Sequence, residues 1–557
     1  MSTHLLPDLL LHGGPIITLD PALPHADALL VRGPNIVAVG SFAAVSAAAH
    51  PGARVIDLAG RTAMPGLVDA HCHPVKGAVA LLFSCRFEFS ATPDDIAAAV
   101  TAALARSPDA PCIMGGRWGS GFFERYAIES PRAWLDALAP GRAVYLRDDS
   151  GHNGWASSTA LDMARIGRDT PDPAGGRILR DAHGEPTGLL LEEADSIARN
   201  RLPDWSDAQY LAGVEEMVRI AHSFGITAVN DADASEPLLR AYHAADSAGT
   251  LRMRVAASIS TPYGRRTAPL NCAVYADLRD RYASPHVDTR FAKIYLDGVP
   301  TSARSAAMLT PYQPHPDFPE GHTGGVHVDT DVLSQDIAAF EASGFTVKLH
   351  TAGDRSIRIA LDAIEAAHEL SGRNDLQHQL AHAGFIDDAD LPRFRTLNVA
   401  ADLSPYLWYP SPINESIVSA VGERGRCYWP IRTFTEMDVA LLAGSDWPAA
   451  VASMDPWIGL ATMITRRDPN GRTAGQLWPE QAIDLERALR IFTIDSARAL
   501  RIEDRAGTLS PGKSADIIVL DRDLHQTPVE EIAKTRVDLT FFEGECVWER
   551  AAQGLQK

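Results

Sequence analysis

Short apolar runs that alternate with helix-patterned stretches constrain this chain more than any other feature. Eight such runs stand along its middle: Leu67–Ala70, Ile226–Asp231, Arg254–Ser260, Phe291–Leu296, Thr346–His350, Leu376–His382, Asn398–Leu403 and Val439–Ser445. Helical patterns follow most of them, as in 355–370 and 387–395. Alternating strand and helix is the signature of repeated βα units around a parallel sheet. Eight units close into a (β/α)8 barrel, with the site at the C-terminal ends of the strands. The predicted fold class is therefore α/β, a TIM-type barrel.

Both chain ends differ from this middle. Short strand-like runs punctuated by Gly and Pro fill 8–12, 15–18, 28–31, 36–39 and 55–58, and return in 515–521 and 539–548. One small β-sandwich built from both ends is expected, over 1–64 plus 505–557. The barrel then occupies 65–85 plus 200–504. Between the first two barrel strands lie about 150 residues, far more than a connection needs. That stretch reads as an inserted α/β subdomain, 86–199, expected to cover the barrel mouth.

A chain of 557 residues with 46% hydrophobic and 22% charged residues is ordinary for a globular protein of two or three domains. Its net charge of −20 argues against nucleic-acid or anionic-membrane partners, which require basic patches. Six scattered cysteines without a Cys-x-x-Cys pair read as reduced thiols. The first residues lack a basic start and a cleavage site, and no apolar stretch reaches membrane-spanning length. A cytoplasmic protein acting on a small molecule is the expectation.

Polar residues gather at the ends of the predicted strands. The first ends in Asp69-Ala70-His71-Cys72-His73. A strand has a side-chain period of two, so His71 and His73 leave one face together while Cys72 points away. That geometry suits two ligands of one metal ion, although His-x-His alone arises by chance. The fourth strand carries Lys293, unusual in a buried strand unless it is paired or modified. The fifth ends at His350, the sixth at His382, and the eighth runs into Ser445-Asp446-Trp447-Pro448. One buried histidine is commonly a core residue; four histidines, a lysine and an aspartate at the same barrel end form a set.

With these residues the chain resembles the metal-dependent amidohydrolase superfamily, and most closely its family 3 branch, which includes N-substituted formamide deformylases. The motifs are 65–73 (Pro-Gly-Leu-Val-Asp-Ala-His-Cys-His), Lys293 with Asp297-Gly298, His350 with Gly353-Asp354-Arg355, His382, Gly444-Ser445-Asp446-Trp447-Pro448, and the closing 507–516. Gly151-His152-Asn153-Gly154-Trp155 and the 170–178 run match the branch within the insert. The resemblance implies two divalent ions, Zn2+ by preference. His71, His73 and Asp446 would hold one and His350 and His382 the other, with carboxylated Lys293 as the bridge. It implies attack by metal-activated hydroxide, with Asp446 as the catalytic proton carrier. A homodimer is the family's default.

Two departures stand out against relatives. Many have Glu before the sixth-strand histidine, where this chain has Ala381. A Gln-Pro pair is frequent after the seventh strand, where this chain reads Asp402-Leu403-Ser404-Pro405-Tyr406-Leu407-Trp408-Tyr409. Candidate substrate contacts are His152, Trp155 and Trp118 from the insert, with Asp297, Tyr406, Trp408 and Trp447 from the barrel. Asp149, Tyr409, Tyr428 and Trp429 are further candidates. The expected reaction is cleavage of an amide or N-substituted formamide C–N bond in a hydrophobic or aryl substrate. An esterase, lactonase or deaminase using the same centre is the alternative, and a non-catalytic scaffold the remote one.

Overall fold

The computed structural model describes residues 8–88, 90–119, 121–148, 153–173, 176–449 and 451–550. Eight parallel strands form the central sheet: β1 (Leu67–Cys72), β2 (Ile226–Ala234), β3 (Arg254–Ser260), β4 (Val287–Tyr295), β5 (Thr346–Thr351), β6 (Gln379–His382), β7 (Ala400–Leu403) and β8 (Leu441–Ala443). They pair in sequence order, each parallel to the next. The ring closes where the chain leaves β8: Asp446 N donates to His71 O at 2.7 Å, and His73 N to Trp447 O at 2.7 Å. Gly444 is required at this seam, because a Cβ there would stand 2.2 Å from His71 N.

The strands read from the sequence differ from the observed ones by a few residues at both starts and ends. β4 begins at Val287 rather than Phe291, since Asp288 and Arg290 face outward between buried Val287 and Thr289. That alternation hides the first half of a strand whose second half is apolar except for Lys293. β7 begins at Ala400 rather than Asn398, because Asn398 has a left-handed φ of 53°.

Helices return the chain between strands. The one over Asp354–Ser371 shows why they form where they do. Ile357, Ala360, Leu361, Ile364 and Ala367 recur at helical spacing and are buried, and Gly372 ends the helix in the left-handed conformation (φ 71°). No helix among the described residues is long and apolar enough to cross a membrane.

The chain ends share one sheet. Its strand order is Glu545–Glu549, Val537–Phe542, Ile517–Leu520, Ala63–Pro65, Leu9–Ile17, His25–Arg32 and Asn35–Gly40, with Arg54–Asp57 also pairing Leu9–Ile17. Leu11, Ile16, Leu29, Leu58, Ile517, Val519 and Phe541 pack together as its core. Arg254 at the start of β3 joins this sheet to the barrel through Asp516 at 3.3 Å and Glu543 at 3.1 Å.

By its contacts the chain divides into one unit of 1–74 with 214–557, and a second of 75–213. The second has its own six-stranded sheet, ordered Gly176–Arg180, Pro186–Glu192, Asn153–Ala156, Ala143–Asp148, Cys112–Trp118 and Cys85–Arg86. Its core centres on Trp155, which is fully buried. Trp155 stacks on Trp134 at 5.2 Å, meets Trp118 edge-on at 5.9 Å, and donates its indole N–H to Pro131 O at 2.8 Å. Trp118 and Trp155 therefore build this unit's interior instead of presenting rings to a substrate. Trp155→Ala is expected to destabilise the unit by about 3–5 kcal/mol, through the lost ring and the cavity left behind. Urea unfolding followed by the remaining tryptophan fluorescence measures this; an unshifted midpoint would show that the ring carries no packing role.

Candidate metal centre

The strand period brings His71 and His73 to the same side of β1. His71 Nε2 lies 3.7 Å and His73 Nε2 3.3 Å from Asp446 Oδ1. Cys72, between them, is buried on the other side, with its thiol 3.6 Å from Asn230 O. Asp446 reaches the histidines from the β8 exit with a left-handed backbone (φ 60°), fixed by its N–H bond to His71 O. Asp69 pins this turn from below, accepting from Ser445 N at 3.0 Å and Ser445 Oγ at 2.6 Å. Burial pushes the Asp69 carboxyl up to about 7.

The remaining strand ends complete the ring. The imidazole of His382 lies 5.0 Å from that of His71 and 4.6 Å from that of His350, centre to centre. His382 has a φ of 73°, and Trp429 braces it by donating its indole N–H to His382 O at 2.8 Å. Lys293 is 1% exposed, and its Nζ lies 5.2 Å from the centre of the Tyr295 ring. Burial, and next the charge of Lys348, push the Lys293 amine down to about 8. Burial alone would raise the Asp446 carboxyl. The hydrogen bond to His73 and the nearby His382 and His71 outweigh it, and hold the group well below the usual carboxylate range.

These residues fit a divalent cation. His71, His73 and Asp446 each offer a ligand atom, all within 4.8 Å of one another. His71 Nε2 is buried without a hydrogen-bond partner, as a nitrogen reserved for a metal would be. A second group, Glu341 with His368 and His378, is equally close-set. There Val347 N donates to His378 Nδ1 at 3.0 Å, so the ring proton resides on Nε2 and is given to Glu341 Oε1 at 2.9 Å. That nitrogen is occupied by a proton, so His378 and Glu341 form a buried hydrogen-bonded pair, while His368 Nε2 stands 3.3 Å from the same Glu341 Oε1.

Not every residue singled out from the sequence reaches this centre. A cavity of about 390 Å³ is lined in part by His71, His73, Lys293, His350, His382 and Asp446. Val299, Phe385, Leu407, Ile417, Tyr428 and Trp429 supply the apolar wall. Tyr406, Trp408 and Trp447 are buried outside that lining. Tyr406 donates its hydroxyl to Met454 O at 3.1 Å, and Trp408 stacks behind Trp429 at 5.5 Å. The short 3-10 turn Pro405–Leu407 aims only Leu407 at the cavity.

Asp297 is likewise a support rather than a substrate contact. It is 1% exposed and accepts from His350 Nδ1 at 3.1 Å, Ala352 N, Gly353 N and Ala307 N at 3.0 Å, and Ser356 Oγ at 2.7 Å. His152 and Asp149 lie outside the described residues.

Two groups at the centre escaped the sequence reading. Asp402 accepts from His71 Nδ1 at 2.6 Å and is paired with Lys348. The available signal was a charge inside an apolar strand, in Ala401-Asp402-Leu403 and Val347-Lys348-Leu349.

The amidohydrolase family model matches residues 54–548. The protein LONG AFTER FAR-RED 3 of Arabidopsis thaliana is 28% identical over 531 residues, covering 93% of this chain and 87% of that protein. An N-substituted formamide deformylase of Arthrobacter pascens is 28% identical, covering 98% of each chain. Among solved structures, an uncharacterized metal-dependent hydrolase from Pyrococcus furiosus superposes with a TM-score of 0.75 at 22% identity, covering 93% of this chain and 99% of that one. The chain belongs to the amidohydrolase family and is a hydrolytic enzyme acting on carbon–nitrogen bonds.

Proposed function

We propose that the enzyme hydrolyses an amide or N-substituted formamide whose nitrogen carries a hydrophobic or aryl group. The observation that carries this reading is a cavity lined by both kinds of residue. The six candidate ligands share its lining with apolar Phe385, Leu407, Ile417 and Trp429. Apolar walls with a few convergent polar groups are the usual form of a small-molecule site. The likeness to the Arthrobacter pascens deformylase supports the same substrate class.

His71, His73 and Asp446 would hold one divalent ion and His350 and His382 a second, zinc being the choice most natural to an imidazole-rich set. Bound there, the ions would supply Lewis acidity toward a carbonyl oxygen and would acidify a bound water. Lys293 would join this ligand set once its amine has added carbon dioxide; that step forms an N–C bond and releases a proton. The reaction needs the neutral amine, and an Nζ pushed down to about 8 has that form available near neutral pH.

Asp446 is the chain's own proton carrier. Held ionised by its histidine neighbours, it accepts a proton at a carboxylate oxygen and passes it to the departing amine nitrogen. The apolar wall holds the N-substituent and keeps bulk water from that transfer.

Zinc-restored enzyme should be offered N-benzyl and N-alkyl formamides, the matching acetamides, and amino-purine or amino-triazine amines. Formate release from the formamides is the expected dominant activity. Ammonia release from the ring amines without formate would overturn the formamide reading in favour of deamination.

A further inference from the structure

We infer that Lys348 and Asp402 form a buried positioning pair that sets the tautomer and aim of His71. This rests on the reading of His71 as a metal ligand. Lys348 on β5 and Asp402 on β7 are both fully buried. One oxygen of Asp402, Oδ2, accepts from Lys348 Nζ and also from His71 Nδ1 at 2.6 Å. Lys348 Nζ donates a second bond, at 2.9 Å, to the carbonyl of Ala70, the residue before His71. The lysine thus holds both the carboxylate that contacts the imidazole and the backbone that carries it.

The arrangement fixes where the ring proton of a neutral His71 sits. An ionised carboxylate only accepts, so His71 Nδ1 must carry the proton. In the neutral ring Nε2 is then a bare lone pair, and that atom lies toward Asp446 without any hydrogen-bond partner. Fixing one ring nitrogen through a carboxylate so that the other is free to ligate is how outer groups tune metal sites. Asp402 could not do this alone. Its Oδ1 has no partner, so without Lys348 a buried carboxylate would be left with a single neutral donor. Proton transfer from the ring or rotation of the carboxylate would relieve that cost, and either would undo the aim of His71.

The pair also separates two lysines that the strands place side by side. Lys293 and Lys348 are direct register partners on β4 and β5. Asp402 takes up Lys348, while Lys293 makes no ion pair among the described residues. The lysine that lines the cavity is therefore the one left without a carboxylate. Neither Lys348 nor Asp402 is among the described lining residues, so both act through His71.

The test uses the full chain with 15N-labelled histidine, in the metal-free and zinc-titrated states. Metal-free wild-type protein is expected to show His71 protonated at Nδ1 and bare at Nε2. Asp402→Asn and Lys348→Met are each expected to weaken zinc binding about 10–100-fold in chelator competition. The double variant should lose no more than the larger single loss, because both act along one path. It also removes both buried charges together, and so serves if Lys348→Met alone fails to fold. A folded double variant that keeps wild-type zinc affinity and an unchanged His71 Nδ1–H signal overturns the inference. Wild-type protein that binds no zinc would count against the metal reading instead, while the tautomer signal would still test the pair.

Discussion

Asp446→Asn is expected to lower kcat/KM by roughly 10²–10⁴-fold, the range ordinarily lost with a positioned proton-transfer group. The amide is nearly the same size, so packing around the left-handed β8 exit should survive and the melting temperature should change little. What is lost is the charge, held ionised by the hydrogen bond from His73 and the nearby His382 and His71. An amide can neither accept the proton nor return it to the leaving nitrogen. The loss should fall mainly on kcat, because the apolar wall that binds the N-substituent is untouched. Steady-state kinetics on the best formamide decides the matter, with metal content measured in parallel because Asp446 also belongs to the candidate ligand set. A variant with full metal content and wild-type kcat would remove Asp446 from the chemistry.

Stripping divalent ions with a chelator is expected to reduce turnover by at least about a thousandfold, since free water is a far weaker acid than water at a divalent ion. Restoring zinc should recover it. Among the described lining residues, Val299, Phe385, Leu407, Ile413, Ile417 and Trp429 have no side-chain group able to activate water, and His71, His73, His350 and His382 are all claimed as ligands. His382→Ala should mimic the stripped state without a chelator, because its ring stands between those of His71 and His350. Undiminished activity after exhaustive chelation, with metal shown absent by elemental analysis, would overturn the metal-centred mechanism.

Much of the centre was legible in the chain because it depends on local periodicity. His71 and His73 share a face by the two-residue period of a strand, and Cys72 is buried opposite them by the same rule. The supports were not legible. Asp402 meets His71 across 331 residues and Lys348 across 54, and the contacts exist only because strands β1, β5 and β7 curve toward one axis. The aromatic candidates misled for a related reason. Trp155 follows a glycine and stood among the candidate substrate contacts, yet its ring is buried in the core of the 75–213 unit. Ile413 and Ile417, one helical turn apart on Pro412–Val421, line the cavity without any composition signal to separate them from packing residues.

By itself the sequence determined the class of fold and pointed to the candidate ligands, because hydrophobic period and the placing of polar residues at strand ends are written over a few neighbouring positions. Only the tertiary structure decided which buried lysine is paired and which faces the cavity, and which aromatics wall it. Those choices depend on how the strands close into a ring and how one turn after β7 is aimed, and both follow from packing between residues far apart in the chain.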